Sequence, residues 1–206
     1  MKVLLVNGSP HAKGTTFAAL EEIAKVLNKQ GISTEIYQVG AKPIIGCLGC
    51  GYCRTHGECI TKDVVNDFAA KVEDFDGYIF GTSVHYAAAT GAITSFMDRV
   101  FFSAGKKLAY KPAAAIVACR RGGASATFDQ INKYFTINNM PIVSSNYWNS
   151  VHAGSVDMLN KDEEGLQTLR NLGLNMSWLL KCLQAGKQAG IAWPQAEAKI
   201  YTVFAK

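Results

Sequence analysis

Residues Val3 to Thr16 constrain this chain more than any other stretch. Val3-Leu4-Leu5-Val6 is a run of apolar, branched residues without polar alternation, the pattern of a strand buried on both faces, and Gly8 with Pro10 stops it abruptly. Helical spacing begins almost at once, with Phe17, Leu20, Ala24 and Leu27 on one face. The intervening loop therefore ends at a helix N-terminus, where unpaired N–H groups and the helix dipole favour an anion. Ser9, Thr15 and Thr16 offer hydroxyl donors, Gly8 and Gly14 allow close backbone approach, and His11 is a further candidate contact for a phosphate. The same segment also reads as an ordinary strand-to-helix turn capped by Thr15 or Thr16.

Spacing narrows the kind of phosphate loop. A Walker loop has four residues between its glycines and a Lys directly after the second; here five residues separate Gly8 from Gly14, and Lys13 precedes Gly14. The dinucleotide fingerprint needs three glycines at fixed offsets, and only Gly8 and Gly14 are present. Both observations argue against ATP, GTP or a tightly held NAD.

The rest of the chain repeats the strand-then-helix pattern. Gly31 reads as the cap of the first helix, and residues 33–39 alternate as a half-exposed edge strand. Residues 40–62 hold six glycines or prolines and four cysteines without a regular period, a long loop that needs a functional or covalent reason. Asp63 caps a helix to about Glu73, residues 77–81 form a third, buried strand, and residues 82–90 form a loop. A helix with Ile93, Phe96, Met97, Val100 and Phe101 on one face follows. The fourth strand, 112–119, delivers Arg120-Arg121-Gly122-Gly123 to the same edge, and a helix spans about 124–135. Residues 141–148 read as the fifth strand, and a last helix starts near Asp162 with Leu166, Leu169, Leu172, Met176, Leu179, Leu180 and Leu183 inward.

Strands alternating with helices predict an α/β fold, a doubly wound, flavodoxin-like five-stranded parallel sheet of order 2-1-3-4-5 with helices on both faces. That order gathers the ends of strands one, three and four around one crevice. At 206 residues the chain suits one domain, residues 1–185, with residues 186–206 as its C-terminal extension, a candidate contact with another subunit. No apolar run approaches the ~20 residues of a membrane span, and Met1-Lys2 is followed by too short an apolar core for a secretory signal, so a soluble, cytoplasmic protein is expected. Its six cysteines are then reduced or ligating. The net charge of +5 is scattered, with Lys106-Lys107 and Arg120-Arg121 the tightest pairs, a pattern of solvated faces or a small anionic ligand and not of a nucleic-acid groove.

Cys47-x2-Cys50-x2-Cys53-x5-Cys59 is the strongest short motif. Four thiolates within thirteen residues on a glycine-rich, non-helical loop can wrap a compact cluster, whereas structural zinc uses two knuckles separated by a longer stretch. Without a metal they are a loop that simply keeps its cysteines. Arg54, His56 and Lys62 flank the loop and can offset cluster charge or face solvent, and Cys119 and Cys182 read as core thiols. His152, beyond the aromatic pair Tyr147-Trp148, is a candidate for a substrate pocket.

Taken together, these segments resemble the flavodoxin-like NAD(P)H-dependent FMN reductases, and within them the branch that includes the iron-sulfur flavoproteins. The resemblance covers roughly residues 2–182. Its carriers are Gly8-Ser9-Pro10 with Gly14-Thr15-Thr16, Gly81-Thr82-Ser83-Val84-His85-Tyr86, Asp98-Arg99, and Arg120-Arg121-Gly122-Gly123. It implies FMN, with its phosphate at Ser9, His11, Gly14, Thr15 and Thr16. It implies that the isoalloxazine edge lies against Ser83, Val84, His85, Tyr86 and Ala87, beside Arg120, Arg121, Gly122 and Gly123. Where the family usually has Pro, this chain has Ser83. Flavin N5 carries the hydride, so no catalytic side chain is assigned beyond His85 and Tyr86 as candidates for proton relay. The implied activity is NAD(P)H-dependent reduction of a small-molecule acceptor such as a flavin, quinone, nitro compound or metal ion. The alternative is an iron-sulfur flavoprotein in which Cys47, Cys50, Cys53 and Cys59 hold a 4Fe–4S cluster that exchanges electrons with FMN and a ferredoxin-like partner. Active sites of this family often form between subunits, which implies a homodimer or homotetramer.

Overall fold

The computed structural model describes residues 1–39, 42–198, 200–202 and 204. Its strands are β1 (Lys2–Asn7), β2 (Ser33–Gln38), β3 (Gly77–His85), β4 (Ala88–Ala89), β5 (Ala113–Cys119) and β6 (Ser150–His152). Its helices are α1 (Thr15–Lys29), α2 (Tyr52–His56), α3 (Val64–Lys71), α4 (Gly91–Leu108), α5 (Ala124–Ile137), α6 (Val156–Leu159) and α7 (Glu163–Gln188). The sheet runs β2-β1-β3-β5-β6, all parallel, with β4 hairpinned onto β3. With that hairpin set aside, this is the expected 2-1-3-4-5 order.

Alternation along the buried strands feeds two apolar layers. Leu4, Val6, Tyr78 and Phe80 face α3, α4 and α5 and pack with Phe68, Phe96 and Phe135. Val3, Leu5, Ile79 and Ile116 face α1 and α7 and pack with Leu20, Ile23, Leu169 and Met176. Because both faces are covered, polar groups that must meet a ligand are driven to the sheet's ends. α1 stops where Gly31 N–H donates to Asn28 O and Ile32 N–H to Leu27 O. Asp63 caps α3 by accepting from Val65 N–H, as its position before an apolar periodic run predicts.

Four boundaries differ from the sequence reading. β3 continues to His85, and residues 86–90 turn back as a hairpin, because Val84-His85 find antiparallel partners in Ala88-Ala89. The fifth strand is not 141–148. Ile142 makes only a single bridge to Ala113, the chain then leaves the sheet, and pairing resumes at Ser150. Local polar bonds favour the excursion: Ser145 Oγ donates to Asn149 Oδ1 (2.7 Å) and accepts from Tyr147 N–H, and Tyr147 and Trp148 are each 56% exposed. The cysteine loop contains one short helix, α2, which carries Cys53. The last helix continues to Gln188, beyond which Trp193 stacks on Tyr110 and Tyr110 Oη donates to Pro194 O.

α1 and α7 cross closely at Gly173, where an added Cβ would lie 2.9 Å from Val26 Cβ. Gly173→Val forces these helices apart, and the urea midpoint is expected to fall by the equivalent of about 1–3 kcal/mol. Tyr37 Oη donates to Val64 O (2.9 Å), and burial, together with Asp67, Asp63 and Glu35, pushes its pKa up to about 12. An unfolded chain releases this proton first, near pH 10, so folding stability falls as pH rises from about 10 toward the folded value. Tyr37→Phe is expected to lose less stability than the parent over that range in chemical denaturation.

Candidate functional site

The loop after β1 is fixed from beneath by Asn7, which is fully buried. Its Nδ2 donates to Gln38 Oε1 (2.6 Å) and His11 O (3.2 Å), its Oδ1 accepts from Ser9 N–H (3.2 Å), and Gln38 Nε2 donates to Ser9 O (2.7 Å). Ser9 Oγ accepts from His11 N–H. These bonds shape the loop without consuming the helix terminus. Gly14 is the N-cap of α1, it makes no side-chain cap bond, and the first turn holds no acidic residue. The alternative of an ordinary turn capped by Thr15 or Thr16 is not met, because both lie within the first turn and Thr16 is buried against Gly81. The first-turn N–H groups and the half-buried Thr15 therefore remain for an anion. Lys13 and His11 are exposed beside them.

Gly8 joins this loop to the next two elements. Its N–H donates to Gly81 O (2.8 Å), its carbonyl accepts from Thr90 Oγ1 (3.2 Å), and a Cβ there would sit 2.8 Å from the Ile93 side chain. Thr90 in turn caps α4. The hairpin beyond β3 turns through Tyr86 (φ 50°) and Ala87 (φ 60°), left-handed residues that are not glycine. Such strain of ~1–3 kcal/mol each persists only where the surroundings impose it. The surroundings here include the loop after β5: Gly123 has φ +88°, and a Cβ on it would fall 2.5 Å from Ala87 Cα. Ala89 N–H donates to Gln130 Oε1 of α5 (3.1 Å). The loop 8–14, the end of β3 with its hairpin (82–90) and the turn 119–124 thus meet at the carboxyl edge of the sheet.

Within this crevice Ser83 Oγ is buried without a hydrogen-bond partner. His85, Tyr86, Arg120, Arg121 and Gly122 are exposed, and Val84 and Gly123 pack together. Arg120 lays its stem over Gly154, while the Cys119 thiol donates to Arg121 O. His152 lies outside the three loops. It lines a shallow cavity of about 190 Å³ with Tyr147 and Asp162, and its N–H donates to Asp162 Oδ2 (2.7 Å). Cys119 is buried as expected, and burial raises its pKa; Cys182, expected in the core, is exposed on the outer face of α7.

A second site is built on α4. Cys47, Cys50, Cys53 and Cys59 all line one cavity of about 110 Å³, together with Arg54, Arg99 and Phe102. Positive φ at Gly49, Gly51 and Gly57 lets the loop wrap this space. Among the described residues no three His, Cys, Asp or Glu side chains are arranged to hold a metal ion. Of the basic residues expected to flank the loop, Arg54 lines the cavity, His56 stacks on Tyr52 (3.8 Å), and Lys62 pairs with Glu58.

The centre of this region is Arg99, whose side chain is 1% exposed. Nε donates to Cys59 Sγ (3.2 Å); Nη1 donates to Asp63 Oδ2 (2.7 Å) and Ile45 O (3.3 Å); Nη2 donates to Asp63 Oδ1 (2.8 Å) and Thr61 O (2.8 Å). All five N–H groups are engaged. Burial alone would lower its pKa, but the bonds to Asp63 and Cys59 outweigh burial and raise it, so the guanidinium stays charged. Cys59 is further held by Asn66, which accepts from its N–H (3.1 Å) and donates to its carbonyl (2.9 Å). Sequence reasoning placed Asp63 only as a helix cap, and no local signal pairs it with an arginine thirty-six residues away. Ile93 at the crevice and Arg99 at the cavity are six residues apart on α4, or ~9 Å along the helix axis.

Comparison with known proteins follows the same outline. Residues 1–155 match the NADPH-dependent FMN reductase family. An iron-sulfur flavoprotein of Methanocaldococcus jannaschii is 30% identical over 195 residues, covering 89% of this chain and 100% of that protein. Another, of Archaeoglobus fulgidus, is 28% identical over 180 residues, covering 80% of this chain and 90% of that one. The structure of RosB with a bound 8-demethyl-8-formylriboflavin-5'-phosphate intermediate superposes with a TM-score of 0.69 at 15% identity, over 100% of this chain and 92% of that chain, a likeness of fold. The chain thus belongs to the NADPH-dependent FMN reductase family, a family of flavin oxidoreductases, in the branch occupied by its iron-sulfur flavoprotein relatives.

Proposed function

We propose that this chain binds FMN in the three-loop crevice and a 4Fe–4S cluster in the cysteine-lined cavity, and that it passes electrons between the two. The observation that carries this reading is the lining of one cavity by all four cysteines, with a buried guanidinium on one sulfur. A cubane takes one thiolate at each iron corner, so its ligands surround a volume and do not converge on a point. A donor set of sulfur alone suits such a cluster better than a hard cation. For FMN, the fit rests on the uncapped N-terminus of α1 and on Ser83 Oγ, a buried hydroxyl with no partner in the crevice.

Bound FMN supplies hydride and electron transfer at its ring, and a bound cluster supplies exchange of single electrons. The protein does the rest. The first turn of α1, with Ser9 and Thr15, grips the phosphate. The hairpin from Ser83 to Ala87 and the Gly122-Gly123 backbone bound the ring position, and Arg121 opposes the negative charge that reduction brings. Exposed Leu48, Ile60 and Phe102, with basic Arg54, surround the cysteine cavity and offer an apolar, positive face to an acidic ferredoxin-like donor. Self-association and a cytoplasmic location belong to the same proposal; no helix among the described residues is long and apolar enough to cross a membrane.

A second reading is favoured by membership of the NADPH-dependent FMN reductase family: an NAD(P)H-linked reductase of small acceptors that uses FMN alone. Anaerobic purification with iron and flavin quantitation separates the two. Flavin with about four irons per chain is expected. Flavin without iron, even after anaerobic reconstitution, supports the nicotinamide-linked reductase, and neither cofactor overturns both. Cys59→Ala is expected to abolish bound iron and retain FMN. Thr15→Ala removes a hydroxyl donor to a charged phosphate, worth ~1.5–3 kcal/mol. FMN affinity, followed by fluorescence quenching, is therefore expected to fall about tenfold or more, with little change in the melting temperature of the apoprotein.

A further inference from the structure

Arg99 does more than hold a loop. Four of its N–H groups, on Nη1 and Nη2, already tie Ile45, Thr61 and Asp63 together, and the fifth, on Nε, is spent on the sulfur of Cys59. Its position is fixed by its helix: neighbours Phe96, Met97 and Val100 are fully buried, so α4 cannot swivel to carry the guanidinium elsewhere. The Asp63 carboxylate binds the Nη1–Nη2 edge, which leaves the Nε–H edge directed at the sulfur. A thiolate sulfur has lone pairs for both a metal and an N–H donor, so this bond is compatible with ligation.

We propose that Arg99 is a positioning residue that orients Cys59 as a ligand and raises the reduction potential of the cluster, with Asp63 as the opposing charge that limits the rise. The proposal rests on the cluster reading given above. Reduction adds negative charge to a cluster and its sulfurs. A fixed N–H dipole and positive charge beside one ligand sulfur stabilise that reduced state, whereas a carboxylate on the far side of the guanidinium destabilises it. The two residues therefore pull the potential in opposite directions while forming one salt bridge, which a purely structural pair would not do.

The test is a redox titration of the anaerobically reconstituted protein, with the cluster followed by electron paramagnetic resonance and the flavin by absorbance. Arg99→Lys keeps a cation but loses the Nε–H bond to Cys59, and its cluster midpoint is expected to move to more negative potential. Asp63→Asn keeps a helix-capping side chain and removes the negative charge, and its midpoint is expected to move to more positive potential. The FMN midpoint should move in neither variant. Unchanged cluster midpoints at full iron content, or shifts of the same sign in both variants, would overturn the proposal. If Arg99→Lys fails to fold or to retain iron, Asp63→Asn decides: a positive shift upholds the proposal and no shift overturns it. A parent protein that takes up no iron-sulfur cluster overturns the cluster reading itself, and with it this assignment, an outcome distinct from a parent that holds the cluster while the variants leave its midpoint unmoved.

Discussion

A guanidinium removed from water must find an acceptor for each of its donors, and that requirement organises the least regular part of this protein. Arg99 gathers Ile45, Cys59, Thr61 and Asp63 around one buried cation. Between β2 and α3 only α2 has regular structure among the described residues, so a polar knot supplies what a sheet ladder supplies elsewhere. The arrangement is costly to break. Removing either partner of the Arg99–Asp63 pair leaves a charge facing a site built for its opposite, a larger penalty than the pair's own net worth.

The carboxyl edge of the sheet obeys a different constraint. A parallel sheet buried on both faces leaves little room for polar side chains that must meet a ligand, and Ser9, Ser83 and Arg120 lie at or near the carboxyl ends of β1, β3 and β5. The three loops then lock by close backbone approach: Gly8 against Ile93, and Gly123 against Ala87. The two left-handed residues of the hairpin sit at this junction, where contact with the Arg120–Gly123 loop leaves the turn little freedom to relax.

Much of this was legible from residue order. The buried runs of β1, β3 and β5 contain few polar residues to confuse them, the helices announce themselves through Asp63, Asp162 and their apolar stripes, and the glycines at 8, 14 and 123 mark the loops. What was hidden depends on contacts distant in sequence or on balances of small local terms. Residues 82–90 carry no turn glycine, so the hairpin through Tyr86-Ala87 leaves no trace. The break in the edge strand reflects the Ser145, Tyr147 and Asn149 bonds winning over the β-propensity of the preceding Ile142-Val143. Cys182 falls on the outward side of α7, whose inner stripe is filled by Met176 and Leu180. The link from Arg99 to Cys59 crosses forty residues, and no periodicity records it.

α4 begins with a cap at the phosphate loop and, two turns on, presents Arg99 to the cysteines. A helix rotates about 100° per residue. Inserting or deleting one residue between Ile93 and Arg99 would swing the guanidinium off the cavity while leaving the crevice intact. That stretch therefore tolerates substitution at its solvent-facing positions but no change of length.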